Sequence, residues 1–387
     1  MGKNPIGTVL ALSFVSATAL LILNLQPQFI GSVGREFELS DVELGYFATW
    51  PLLASVVVFV SAPIWLYRFS MQTLIYFGGI VAVCALLAMT LTSTILPLTL
   101  CFVVYVIGIS IIQVPALVAL GQMPDPESAF GAYVAASVLL AGVLAFLIPA
   151  FVEPAFGFHG FLGLIALTTI ASIFCVRSLS DRPLQADEDS VDSKEATVWT
   201  PRIFVALVGL AIFYLGIMAS WSFLERVGEQ AGLEDGAALG LSFGLALLFG
   251  ALGPLAGAHF GDRISAPLAI MLTAAMFLGF ILLLTVGNLD MVKFALALIA
   301  FNIAWNFGIT YLLAVASKAD SSGRGFALAP AAMSIGAAFG PALGGNALSA
   351  YGATGLFAAF GGVLALAFMA MLWVDSQSKK QALKGQL

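Results

Sequence analysis

Long apolar runs free of Asp, Glu, Lys and Arg follow one another along this chain, separated by short charged or turn-rich breaks. Each run is near the roughly 20 residues that carry an α-helix across a bilayer. Hydrocarbon offers no water to backbone groups, so such a chain must close its hydrogen bonds within helices or within a closed barrel. The period-two alternation of barrel strands is absent, which leaves helices. Composition agrees: 61% of the 387 residues are hydrophobic and 9% charged, too little polar surface to coat a soluble globule of that size.

Breaks such as Thr90-Leu91-Thr92-Ser93-Thr94, Pro124-Asp125-Pro126-Glu127 and Glu153-Pro154 divide the chain into twelve expected spans. Spans 1 to 6 lie at 7–33, 43–66, 71–91, 96–120, 128–152 and 159–177. Spans 7 to 12 lie at 202–226, 236–258, 265–287, 292–317, 323–349 and 353–374. Between the two sets, Asp187-Glu188-Asp189, Ser190, Asp192 and Lys194-Glu195 read as a solvated linker. The expected organisation is an all-α membrane protein: an N-terminal six-helix bundle (1–177), a cytoplasmic linker (178–201) and a C-terminal six-helix bundle with a short tail (202–387). The run after Met1 to Pro5 is longer than a signal-peptide core and lacks a cleavage site, so it is read as a retained first span.

The two halves read as one unit written twice. Phe29, Val33, Gly34, Leu39 and Asp41 match Phe223, Val227, Gly228, Leu233 and Asp235 at an offset of 194. Gly45 and Gly240 continue the match at 195, as do Arg68 and Arg263, and Phe130 and Phe326 match at 196. A drift of two residues over a half is what duplication followed by small loop changes gives. Orientation comes from basic residues: with the N-terminus inside, three of the fifteen Lys and Arg fall outside (Arg35, Arg226 and Lys293) and twelve inside. That bias places both termini in the cytoplasm and the chain in the cell inner membrane.

Gly257-Ala258-His259-Phe260-Gly261-Asp262-Arg263-Ile264-Ser265, between spans 8 and 9, resembles the loop motif of the major facilitator superfamily. Between spans 2 and 3, where that family carries the motif most strongly, Ala62 and Tyr67 replace its Gly and Asp and Arg68 remains. Gly336 to Gly345 in span 11 is similar to a family Gly-Pro-Gly-Gly pattern, although close helix packing accounts for it as well. The resemblance implies two pseudo-symmetric six-helix bundles, a central cytoplasmic linker and transport by alternating access. It also implies a cytoplasmic gate at Asp262, Arg263 and Arg68, with Asp125 and Asp320 as acidic partners. No Arg stands in span 4, where many proton-coupled members carry one.

Polar residues within spans are the clue to a solute, because such groups usually face a bundle interior or a watery cavity. Asn24 and Gln28 share one helix face in span 1, with Gln26 and Pro27 beside them. At the repeat offset, span 7 answers Gln26 with Ser220 and Gln28 with Ser222, next to Trp221. Asn302, Trp305 and Asn306 form a stripe at i, i+3 and i+4 in span 10, and Gln113 and Tyr214 are further candidates. Packing or interhelical bonding is the competing account of each. For proton coupling the candidates are Glu225 and Glu153, both near outer span ends, where an interfacial solvated carboxylate is the plainer reading.

Cys84, Cys101 and Cys175 and the two histidines lack metal spacing, nothing supports nucleic-acid binding, and no cofactor is expected. No cluster of nucleophile, base or metal ligands suggests an enzyme. The expected function is secondary transport of a small neutral or amphipathic organic molecule by a monomer in the bilayer, because an anionic solute would call for a buried Lys or Arg. Protons as coupling ion, an uncoupled facilitator, efflux and nutrient uptake all stay open at this point, with a non-transporting membrane receptor or an enzyme as the less favoured classes.

Overall fold

A computed structural model describes residues 5–179, 200–320 and 325–384, and every regular element among them is helical. The expected linker falls almost wholly outside the described residues. Among the described residues, nine helices are long and apolar enough to cross a membrane. Two of them, Ser128–Cys175 and Ala329–Gln381, contain 48 and 53 residues, about 70 Å or more of helix against a hydrocarbon core of about 30 Å. Each is interrupted by a glycine in the left-handed region, Gly157 (φ 58°) and Gly352 (φ 64°). Those residues turn the chain between spans 5 and 6 and between spans 11 and 12. They also stand 195 apart, at the repeat offset. With the segmented first span, this pattern is consistent with twelve crossings.

Span 1 is three helices in series, Pro5–Ala19, Leu21–Asn24 and Gln26–Phe37, with Leu25 outside helical geometry (φ −92°, ψ 11°). Pro27, which has no N–H to give the preceding turn, helps explain the interruption. Span 7 is likewise divided, into Pro201–Trp221 and Leu224–Gln230, with Phe223 (φ −114°, ψ 7°) at the junction. Span 2 is Asp41–Trp65, span 3 Met71–Met89, span 4 Ile95–Gly121 and span 5 Pro126–Leu147, the last continued by a π-helical turn at Ile148–Val152. Span 8 is Gly236–Gly250 and Leu252–Phe260, span 9 Ala266–Thr285 and span 10 Met291–Lys318.

The chain forms two compact units. One takes in the described residues of 1–39, 50–194 and 236–244, the other those of 40–49, 195–235 and 245–387. Each unit is therefore one sequence half plus the first turns of a helix from the other half. In the first unit Phe29 anchors the core, its ring 4.9 Å from Phe102 and 5.5 Å from Phe161. In the second Phe301 does so, 4.9 Å from Phe280 and 5.8 Å from Phe360. Large apolar side chains such as Val57 (67% exposed), Phe77 (57%) and Leu91 (87%) turn outward, the surface expected of a protein solvated by lipid.

The exchanged segments are seated by glycines. A Cβ at Gly45 in span 2 would meet Pro341 O of span 11 at 2.6 Å. One at its repeat mate Gly240 in span 8 would meet Ala145 O of span 5, also at 2.6 Å. Thr49 completes the first seat: its Oγ1 accepts from Ala342 N at 3.1 Å and donates to Gly45 O at 2.9 Å. Gly336, Gly340 and Gly344 likewise face the backbone of span 7, where a Cβ at Gly340 would stand 2.8 Å from Ala219 N. The glycine run of span 11 thus serves close helix packing.

Candidate functional site

In the first unit the site residues come from the broken span 1. Gln28 is 3% exposed and its Nε2 donates to Ala145 O of span 5 at 2.7 Å, so one end of the amide is fixed. Its Oε1, and Oε1 of the neighbouring buried Gln26, have no hydrogen-bond partner among the described residues. A buried acceptor left unsatisfied costs about 1–3 kcal/mol, so a group of this kind invites a donor from a ligand or water. Asn24 is half-buried at the end of its short helix, and Gln113 is half-buried on span 4.

The second unit answers through the repeat. Ser222 Oγ, the counterpart of Gln28, is satisfied by donating to Met218 O at 2.6 Å. Ser220 Oγ, the counterpart of Gln26, is fully buried and unpartnered among the described residues. The offset noted in the sequence thus pairs one anchored and one orphaned polar side chain in each half. Gln26 and Ser220, not among the binding candidates drawn from the sequence, are thus left with an unpartnered buried polar atom, as are Gln28 Oε1, Ser13, Ser16, Tyr105 and Ser137 among the described residues.

Beside Ser220 lies an aromatic wall. Trp221 stacks on Phe301, with ring centres 5.9 Å apart and planes 8° off parallel, and stands 6.4 Å from Trp305. Tyr214 meets Trp305 edge-on, with ring centres 6.1 Å apart. Trp221 is sealed at 1% exposure, whereas Trp305 and Tyr214 are half-buried. Asn302 and Asn306 flank Trp305 and turn their amide nitrogens to the helix, at 3.1 Å from Leu298 O and 2.9 Å from Asn302 O. The expected stripe therefore comes together, and Phe301 joins it through its stack on Trp221.

The acidic candidates separate. Glu153 is paired with Arg35, Oε2 to Nη2 at 3.1 Å, within the first unit. Glu225 is 5% exposed, just past the break in span 7, and among the described residues it is the charged side chain classed as buried. Beside it Arg226 donates to Asp41 at 3.3 Å and to Glu229 at 3.1 Å, and Gln230 reaches Asp41 at 3.3 Å. These contacts tie the start of span 2 to the end of span 7.

The gate candidates hold mostly local roles. Asp125 caps span 5 by accepting from Ser128 N at 3.1 Å, and Asp320 accepts from Phe326 N at 3.0 Å. Arg68 and Arg263 are exposed, and the side chain of Asp262 lies outside the described residues. The loop around Asp262 is firmly built. Gly261 has φ 44°, its carbonyl accepts from Tyr311 Oη at 3.1 Å, and a Cβ at Gly257 would press on Thr310 at 2.9 Å. Glycine at both positions follows from that geometry.

No family model and no curated protein matches the sequence. Solved structures do match in fold. A mutant form of the nucleoside transporter NupG superposes with a TM-score of 0.75 at 12% identity, over 96% of this chain and 100% of that one. A POT family transporter in complex with a thioalcohol-conjugated peptide gives 0.72 at 12%, over 97% and 96%. A bacterial homolog of the human lysosomal transporter Spinster, inward-facing and unoccupied, gives 0.64 at 14%, over 97% and 94%. The chain has the major facilitator fold. At these identities the likeness carries the architecture, and the solute has to be argued from the side chains of this chain.

Proposed function

We propose that this major facilitator protein is a secondary transporter that moves a small neutral or amphipathic organic solute across the cytoplasmic membrane by alternating access. The observation that carries the reading is the aromatic wall of Tyr214, Trp221 and Trp305 in the second unit, with the buried Ser220 hydroxyl next to Trp221 in the chain left unpartnered among the described residues; within the first unit Gln26 Oε1 and Gln28 Oε1 are left unpartnered likewise. Amide and hydroxyl groups recognise uncharged polar functions, and aromatic rings recognise an apolar or planar body. No Lys or Arg is buried among the described residues, which disfavours a strongly anionic solute. The fold is shared with proteins named as nucleoside and peptide transporters, which supports transport as the class of activity.

Glu225 is the group we assign to proton coupling. A carboxyl set among buried residues at a helix break can exchange a proton as its surroundings change between states. Glu153, held by Arg35, is the weaker candidate.

The test is a thermal-shift screen of purified protein against uncharged metabolites, followed by flux of the hit in proteoliposomes with and without a pH gradient. Glu225→Gln should abolish gradient-driven accumulation while solute exchange at equal pH persists. Accumulation that ignores the gradient in the wild type identifies an uncoupled facilitator and removes the role given to Glu225. A screen with no stabilising uncharged solute, alongside saturable flux of an anion, overturns the substrate class.

A further inference from the structure

A cavity lies within the first unit, formed by spans 2, 3 and 4. Val58 and Trp65 of span 2, Phe69 of the following turn, Leu74 and Phe77 of span 3 and Ile111 of span 4 line this cavity of about 460 Å³. Its few polar groups are used up internally. Ser61 Oγ accepts the indole N–H of Trp65 at 3.2 Å and donates to Val58 O at 3.0 Å, so the wall presents carbon. The surrounding surface is apolar and outward-facing, with Val57, Val60, Ile64 and Phe77 all more than half exposed. In a chain that spans a bilayer, such a surface meets acyl chains.

The rim differs in chemistry from the cavity. Trp65, Tyr67 and Phe69 gather at the end of span 2, aromatic rings where the span meets headgroup level. Among them Arg68 is exposed, with no ion-pair partner for its guanidinium among the described residues. Next to it the hydroxyls of Ser70 and Thr73 lie 2.9 Å apart at the N-terminus of span 3, whose helix dipole favours an anion. Phe69 and Thr73 of this turn line the slot itself, Arg68 and Ser70 flank Phe69 in the chain, and Ser70 Oγ caps span 3 by accepting from Thr73 N at 3.2 Å. An apolar slot beside a cation, two hydroxyls and a helix N-terminus has the polarity of one kind of molecule. We propose that this groove seats one acyl chain of an anionic phospholipid, with the phosphate held by Arg68 and the Ser70–Thr73 pair. Arg68 then serves as a lipid anchor, distinct from the gate that resemblance to the family assigned to it.

Trp65 in the wall provides a direct readout. The full-length protein is reconstituted in liposomes containing a small fraction of phosphatidylglycerol or phosphatidylcholine brominated on the acyl chain, and the share of quenching due to Trp65 is taken by difference from Trp65→Phe. Brominated phosphatidylglycerol should quench Trp65 with about fivefold higher apparent affinity than phosphatidylcholine, the factor one basic residue contributes at an anionic surface. Arg68→Gln should erase that preference while leaving phosphatidylcholine quenching in place, and Arg68→Lys should keep most of it. Equal quenching by both lipids in the wild type overturns the proposal, as does a preference unaffected by Arg68→Gln. Loss of the preference on adding millimolar inorganic phosphate would mark a site for a soluble anion and also overturn it.

Discussion

Trp305 is where sequence spacing and side-chain geometry meet most closely. Its place between Asn302 and Asn306 follows from helical periodicity, and its contacts with Tyr214 and Trp221 come from a helix about ninety positions earlier. Periodicity could name the stripe but could not show that the amide nitrogens of both asparagines turn back to their own helix, which leaves the indole of Trp305 as the group we propose contacts the solute. Nor could it show which of two neighbouring glutamines is anchored, because Gln28 finds its partner 117 residues away at Ala145. Removal of the indole should therefore weaken solute binding more than removal of either amide. Trp305→Ala should raise the Kd of the solute found by screening by about tenfold, close to the ~1.5 kcal/mol upper value of an aromatic contact. Trp305→Phe should retain most of the affinity, since it keeps a ring in the wall. Titration calorimetry on folded protein decides the matter, and an unchanged Kd for Trp305→Ala would move the site elsewhere.

At the level of helices, the spans themselves were legible because charge-free runs have few physical alternatives. What stayed hidden was the exchange of helix ends between halves, since backbone approaches of Gly45 to Pro341 and Gly240 to Ala145 join positions with no local sequence relation. Glycine appears at both repeat positions because any side chain would press on a carbonyl, and a carbonyl in a helix cannot swing away as a side chain can. Gly45→Leu should push span 2 off span 11 and break the Thr49 to Ala342 bond, exposing residues now buried on the first turns of span 2. In a background lacking the three native cysteines, Ala48→Cys, at 2% exposure in the native packing, reports this by its rate of maleimide labelling. The rate should rise at least about tenfold with Gly45→Leu, a loss of about 1.4 kcal/mol or more of protection. Gly131→Leu is the control, because a Cβ there meets nothing within 4 Å. Equal rates in both backgrounds would mean the glycine seat does not hold these segments together.

On the scale of the whole molecule, duplication organises both the fold and the site. Gly157 and Gly352 turn the chain at matching places, the orphaned Gln26 and Ser220 occupy matching places, and Gly45 and Gly240 seat matching helices. Asymmetry then enters through charge, for Arg226 ties Asp41 of the other half whereas Arg35 ties Glu153 of its own. That difference was illegible in the sequence, where both arginines read only as residues outside the membrane. The same two arginines, with Lys293, fix the expected orientation, because an even number of spans puts the turns that carry them on the face opposite both termini. Impermeant maleimide applied to intact cells should therefore label Glu36→Cys, exposed in the last turn of span 1, and should spare Ser376→Cys near the end of span 12. Permeabilised cells should label both. Labelling of both in intact cells would require an even number of crossings between them. Labelling of Ser376→Cys alone would invert the protein in the membrane and place the Arg226–Asp41 tie on the cytoplasmic face.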